Sequence, residues 1–268
     1  MPTVRVGDIN MYYEVHGEGE PLVLILGLSA DLTSWMLQTP EFSKKYQVIV
    51  FDNRGVGRTD APDMAYSTWM MADDTAGLLD ALVIEKAHVL GHSMGGFIAQ
   101  ELALKYPQRV KSLILASSGT RETSLGKYLI DTWARMAQEG VSLETRLMEQ
   151  LLWLLTDKFF DNPDMVQMAI TVMLANPYPQ STHGLARQTG ACLEHDTRER
   201  IGKITAPTLV LVGEEDIIIP VKMSEKLAAG IPNSEMVVLE GGGHGFLIEI
   251  PERFNQAVMD FLTKVEKK

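Results

Sequence analysis

The stretch His88-Val89-Leu90-Gly91-His92-Ser93-Met94-Gly95-Gly96 joins a short apolar run to a segment with helical periodicity, carried on by Ile98 and Leu102. Between them stands Gly-x-Ser-x-Gly, the pattern of a strand that turns sharply into a helix and holds its serine in a strained backbone conformation. The flanking glycines leave room for the neighbouring strand and helix, so Ser93 is pushed out above the strand ends. The helix that follows presents unpaired N–H groups and a positive dipole end beside the serine, which favours negative charge developing there.

Outward from this turn, two hydrophobic patterns alternate. Short β-rich runs fall at Leu22–Leu26, Val48–Phe51, Leu113–Leu115, Leu209–Val212 and Met236–Leu239, and their near-continuous apolar character predicts strands covered on both faces, as in a parallel sheet. Helix-period segments lie between them. At the C-terminal end Phe254, Val258, Phe261, Leu262 and Val265 form an amphipathic stripe opened by Pro251. Strand–helix alternation of this length predicts an open α/β sheet. At the other end, Val4–Val6 and Met11–Val15, joined by Gly7-Asp8, predict an antiparallel hairpin on the sheet edge. The rhythm breaks between about Thr120 and Ile204, where helical stripes follow one another. Leu143, Leu147, Leu151 and Leu154 form one, and Met165, Met168, Ala169, Val172 and Met173 another. The reading is an α/β core over 1–120 and 205–268 with a helical cap inserted over 121–204. The cap stripes read as ordinary packing surface, part of which roofs a pocket with adaptable thioethers.

Composition narrows the function. The chain has 268 residues, 46% of them apolar, enough for one core and a small cap. Its 24 Lys and Arg against 35 Asp and Glu give a formal charge of −11, which argues against nucleic acid and anionic membranes as partners. Cys192 stands alone and no Asn-x-Ser/Thr acceptor occurs, so a reducing, cytoplasmic compartment is expected. Met1-Pro2-Thr3-Val4-Arg5 does not open a secretory leader, and the longest apolar run, Leu22–Leu28, is too short to span a bilayer.

A serine hydroxyl becomes a useful nucleophile only when a base takes its proton, and that base needs an acid to hold its tautomer. Downstream, Gly213-Glu214-Glu215-Asp216 follows one strand run and Gly241-Gly242-Gly243-His244-Gly245-Phe246 follows the next. Ser93, Asp216 and His244 therefore all fall at carboxyl ends of strands, where open α/β sheets gather their ligands. Their order Ser, Asp, His also suits a serine set on a strand-to-helix turn.

With these blocks, together with Phe51-Asp52-Asn53-Arg54-Gly55-Val56-Gly57-Arg58-Thr59-Asp60, Pro220 and Pro251-Glu252, the sequence resembles the α/β-hydrolase superfamily over essentially its full length, and within it the small bacterial esterase and enol-lactonase-like branch. The resemblance implies an α/β-hydrolase fold: a mostly parallel eight-stranded sheet, helices on both faces and a helical cap. It implies a serine hydrolase of carboxylic esters or lactones, acting through an acyl-enzyme, with Ser93 as nucleophile, His244 as base and Asp216 as acid. It implies no cofactor and no metal. The family usually carries His-Gly after its third strand; here Leu26-Gly27-Leu28 stands there, so that histidine's support is absent, and the N–H groups of Leu28 and Met94 are the expected oxyanion donors. Leu28, Trp153, Ile217 and Phe246 are the expected pocket walls, from their nearness to the motifs or the cap. As His244 must be neutral to act as base, activity is expected to rise through neutral pH.

Two other readings share these residues. One keeps the three side chains and changes the reaction to carbon–carbon bond hydrolysis, a lyase step or peracid formation. The other is a ligand sensor with slow turnover or none. Haloalkane dehalogenation is disfavoured because it needs a carboxylate where this chain has Ser93. Glu214 and Glu215 are the rival acids. His16, His88, His92, His183, His195 and Cys192 read as structural or solvated, with no zinc-like spacing among them. The Asp52–Gly57 segment, though glycine-rich, lacks a dinucleotide fingerprint and reads as a turn beside the site. Acyl and alcohol preference and oligomeric state are not encoded in any motif.

Overall fold

The computed structural model describes residues 2–267. Eight strands, β1 (Thr3–Val6), β2 (Ile9–His16), β3 (Glu20–Ile25), β4 (Tyr46–Phe51), β5 (Ala87–His92), β6 (Val110–Ala116), β7 (Thr208–Gly213) and β8 (Ser234–Leu239), form one sheet in the order β1-β2-β4-β3-β5-β6-β7-β8. From β4 to β8 neighbours run parallel; β1 and β2 add an antiparallel edge. Val6 pairs with Ile9, so Gly7-Asp8 is the whole hairpin turn, and Gly7 takes the positive φ of +51° that such a turn demands.

The helices are α1 (Thr39–Phe42), α2 (Thr68–Ala81), α3 (Met94–Lys105), α4 (Ser124–Gln138), α5 (Leu143–Leu154), α6 (Asp157–Phe160), α7 (Pro163–Leu174), α8 (Thr182–Glu194), α9 (Val221–Gly230), α10 (Phe246–Glu249) and α11 (Pro251–Glu266). Because successive strand residues point to opposite faces, the apolar runs split into two cores. Val23, Ile25, Ile49, Val89, Leu113 and Val210 pack under α2, α3 and α9. Leu22, Leu24, Val48, Leu90, Ile114 and Leu209 pack on the other side against Trp35, Phe42 and the α11 stripe of Phe254, Val258, Phe261 and Leu262. Both faces are covered, which is why the central strands read as unbroken apolar runs.

The last strand departs from that reading. Val237 and Val238 of β8 are 37% and 43% exposed, because β8 is the free edge of the sheet and only one neighbour, β7, lies beside it. Between β6 and β7 the chain inserts α4 to α8. Within that insertion the α7 stripe does not face a core throughout. Ile170 is buried and Ala169 and Met173 pack against Leu151 and Leu155, but Met165, Met168 and Val172 point outward. The cause is that α7 rests on α5 along one narrow face. Among the described residues no helix is long and apolar enough to cross a membrane.

Candidate active site

The turn after β5 is built by exclusion of side chains. Ser93 adopts φ +57° and ψ −122°, outside the regions an L-residue favours. It is held there by its N–H bond to the Ala116 carbonyl (2.9 Å) and by the crossing of β5 into α3. A Cβ on Gly95 would stand 2.0 Å from the Ile25 carbonyl oxygen, and one on Gly91 would stand 2.2 Å from the Gly95 oxygen. Only glycine lets α3 start this close to β3 and β5.

The loops after β7 and β8 bring the other two residues to this turn. They are tied to each other through Glu215 N–H to the Gly242 carbonyl and Glu214 N–H to the Leu239 carbonyl, both 2.9 Å. Nε2 of His244 lies 3.0 Å from Oγ of Ser93, and its Nδ1 lies 3.0 and 3.1 Å from the two carboxylate oxygens of Asp216. Oδ1 of Asp216 also accepts the N–H groups of Ile218 (3.0 Å) and Ile219 (2.8 Å). Burial alone would push the Asp216 carboxyl up; the His244 ring beside it and the Ile219 N–H outweigh that and hold it below the usual carboxylate range. An ionised Asp216 accepts the proton that Nδ1 of His244 carries, and in the neutral ring this tautomer turns a bare Nε2 toward Ser93 Oγ.

A model of the alpha/beta hydrolase fold matches residues 20–251. The chain belongs to the α/β-hydrolase fold family. It is similar to RutD of Azorhizobium caulinodans, named as a candidate carbamate hydrolase, at 31% identity over 268 residues, 100% of each chain. Among solved structures, a thermophilic esterase from Thermogutta terrifontis superposes with a TM-score of 0.87 at 32% identity, covering 99% of each chain. The enol-lactonase from Burkholderia xenovorans LB400 gives a TM-score of 0.87 at 28% identity, covering 98% of this chain and 100% of that one.

In this α/β-hydrolase the segment after β3 passes directly against Ser93. A Cβ on Gly27 would stand 2.9 Å from Ser93 Cβ and 3.3 Å from its Oγ. Among the described residues neither the Leu28 N–H nor the Met94 N–H has an acceptor. The Asp52–Gly57 turn braces the same segment. Asn53 donates its side-chain amide to the Leu26 carbonyl (3.0 Å), and Asp52 accepts the N–H groups of Leu32 and Arg58, each at 2.8 Å. The loop bearing His244 is held from the inserted segment. Gly245 donates to the Leu154 carbonyl (2.7 Å), and Glu249 joins the Gly243 N–H (2.8 Å) to the N–H and hydroxyl of Thr156 (2.7 Å each).

The remaining candidates fall apart from the centre or change role. Glu214 and Glu215 are exposed and contribute only backbone. Phe246, expected as a pocket wall, is fully buried on the α11 side of the sheet, edge-on to Phe254 at 5.1 Å. It opens α10, and that helix turns its ring down into the core. Leu28 bridges the core to Ala134, Ala137 and Leu185 of the inserted helices, Trp153 is half-buried with its indole N–H on Glu149 (2.9 Å), and Ile217 is 50% exposed on the Asp216 loop. His195 is stacked on Phe97 and His88 faces Ser112, while His16 pairs with Glu14 and His183 with the Ala61 carbonyl. Cys192 is buried, and burial pushes its thiol well up, away from the thiolate. Among the described residues no cluster of three or more His, Cys, Asp or Glu could hold a metal ion. Sequence reasoning missed Glu122, a buried carboxyl pushed up chiefly by burial, and Gln188; neither belongs to a motif.

Proposed function

We propose that the protein is a serine hydrolase of carboxylic esters or lactones with a small or medium apolar acyl part. The observation that carries this is the continuous line from Ser93 Oγ through the His244 ring to Asp216, with both gaps near 3.0 Å. Ser93 Oγ attacks the carbonyl carbon while its proton passes to Nε2 of His244. Charge developing on the carbonyl oxygen is met by the Leu28 and Met94 N–H groups, and Asp216 stabilises the imidazolium through Nδ1–H. The carbon–oxygen bond then breaks, the leaving oxygen takes the proton from His244, and the acyl group stays on Ser93. Water gives a proton to His244 as it attacks, and collapse returns that proton to Ser93 and releases the acid.

Leu28, Trp153 and Ile217 are the proposed pocket walls; the helices inserted between β6 and β7 act as the cap over them. The esterase and lactonase among the similar structures support this acyl chemistry. The similarity to RutD favours a second reading, carbamate hydrolysis, which uses the same steps on a carbonyl flanked by nitrogen. The test is a panel of 4-nitrophenyl esters of graded acyl length, lactones and carbamates, run on the wild type and Ser93→Ala. Turnover should fall by at least about 10⁴-fold in the variant, by analogy with other serine triads, and fluorophosphonate labelling should vanish with it. Undiminished turnover in the variant would end the proposal, and the best substrate in the panel distinguishes ester from carbamate.

A further inference from the structure

The segment Gly27–Ala30 after β3 is strained and has few bonds of its own. Ser29 sits at φ +67°, a conformation that costs a non-glycine residue on the order of 1 kcal/mol or more. Its only internal backbone bond is a long one, Ala30 N–H to the Gly27 carbonyl at 3.4 Å. Something outside the segment must therefore hold it. Gln188 of α8 meets this need. Its side chain is fully buried, and its Oε1 accepts the Ser29 N–H at 3.1 Å. The same oxygen accepts the Gln180 amide at 2.9 Å, and Nε2 of Gln188 donates to the Arg54 carbonyl at 2.8 Å. Every polar atom of the Gln188 side chain thus points to a backbone or amide partner of opposite character, which also settles which end is oxygen.

The helix bearing Gln188 is itself registered against the core. Gly184, four residues earlier and so on the same face of α8, lies so close to Gly55 that a Cβ would stand 2.3 Å from the Gly55 carbonyl oxygen. Leu28, one residue before Ser29, packs against Leu185 of the same helix. The bond that holds the Ser29 peptide and part of the apolar contact of Leu28 thus come from one helix, α8.

We propose that Gln188 is a positioning residue for the Leu28 oxyanion donor: by fixing the Ser29 peptide, it orients the preceding Leu28 N–H toward the carbonyl oxygen of a substrate bound at Ser93. The inference rests on the hydrolase reading above. The α8 helix is thereby part of the catalytic apparatus as well as a roof, and its docking and the competence of the oxyanion site are one event.

The test compares wild type, Gln188→Met and Gln180→Leu on the best ester of the panel, with phenylboronic acid as the transition-state probe. Ser93 Oγ adds to boron, its proton passing to His244, and the anionic boronate oxygen occupies the donor pair. Gln188→Met keeps the side-chain length and loses the bonds to Ser29 and Arg54. Its kcat is expected to fall by about 10- to 100-fold, from loss of geometry at one oxyanion donor, with KM changed less than about threefold. Its Kd for the boronate should rise in the same proportion as kcat falls. Gln180→Leu removes the bonds from that amide to Gln188 Oε1 and to the Gly55 carbonyl without touching Ser29, and should stay within about threefold on both readouts. If Gln188→Met retains kcat and boronate affinity, or loses thermal stability alone, the proposal is overturned. Should Gln188→Met not fold, amide exchange of the wild type decides. The Ser29 N–H should be protected without ligand, while Leu28 and Met94 become protected only with boronate; an unprotected Ser29 overturns the inference. A wild type that neither cleaves esters nor binds the boronate would sink the hydrolase reading instead.

Discussion

His92 donates its Nε2 proton to the main-chain carbonyl of His244 at 2.9 Å, so the residue immediately before Ser93 fixes the backbone of the residue whose ring faces Ser93. The two rings stand 5.2 Å apart. Burial first, and then the neighbouring His244, push the His92 ring down to about 3, so it is neutral and serves as a pure donor from that nitrogen. The turn bearing Ser93 and the loop bearing His244 are thereby joined by one bond that involves neither Ser93 Oγ nor the His244 ring.

Removing that donor while keeping the volume should loosen the Ser93–His244 contact. In His92→Leu the His244 carbonyl is left buried without a partner, a loss of about 1–3 kcal/mol, and kcat on an activated ester is expected to fall about tenfold or more. His92→Gln, which can still donate, should recover most of it. Steady-state kinetics on the pair checks this; equal activity in Leu and Gln variants at wild-type level would show the bond to be idle.

Two glycine substitutions should separate folding from function. In Gly95→Ala the new methyl would lie 2.0 Å from the Ile25 carbonyl oxygen, so α3 must move away from β3, and a stability loss above about 3 kcal/mol is expected. In Gly27→Ala the methyl meets Ser93 at 2.9 Å from Cβ, so the principal effect is displacement of that side chain, with kcat/KM down about 10²-fold and a smaller change in Tm. Thermal melting alongside ester kinetics tests the contrast.

The brace beneath the segment after β3 carries a buried ion pair. Arg54 is 2% exposed and donates to both carboxylate oxygens of Asp74, at 2.5 and 2.7 Å, and to Asp8 at 3.0 Å. Asp74→Ala leaves a guanidinium buried with only the half-exposed Asp8 for company. Urea unfolding at pH 7 should register a loss of about 3–5 kcal/mol. A change below about 1 kcal/mol would mean that water or Asp8 replaces Asp74 fully.

Acid stability follows from His195 as well as His92. Burial, aided by Arg200, pushes the His195 ring down to about 3 against an ordinary 6.5. Between those values the unfolded chain binds a proton that the folded chain does not, so this part of the stability is complete above about pH 6.5 and declines as pH falls toward 3, by about 1.4 kcal/mol per pH unit. His195→Gln removes that dependence. The free-energy gap between wild type and His195→Gln should therefore shrink on going from pH 7 to pH 4, and a gap constant with pH would contradict the assignment.

Strand positions were legible in the chain because a strand covered on both faces needs apolar side chains pointing both ways, and Leu22–Leu26, Val48–Phe51 and Leu209–Val212 record that need directly. The glycine spacing around Ser93 was legible for a similar reason: contacts as short as those at Gly91 and Gly95 exclude every other residue. Met236–Leu239 is as apolar as the rest, yet Val237 and Val238 face solvent, since no local pattern tells an edge strand from a central one. Phe246 illustrates the same limit. Its nearness to His244 in sequence suggested the pocket, but the direction of α10 sends it into the core.

The alternation of strand and helix, the turn at Ser93 and the strand-end location of Asp216 and His244 are written in the chain, because each is imposed by sterics or periodicity within a few neighbouring residues. Folding in three dimensions set the bond from His92 to the His244 backbone and the bond from Gln188 to the Ser29 N–H, 159 positions away. Hydrogen bonds of that span leave no periodic trace: a buried glutamine and a solvated one are the same letter until the helix that carries them is docked.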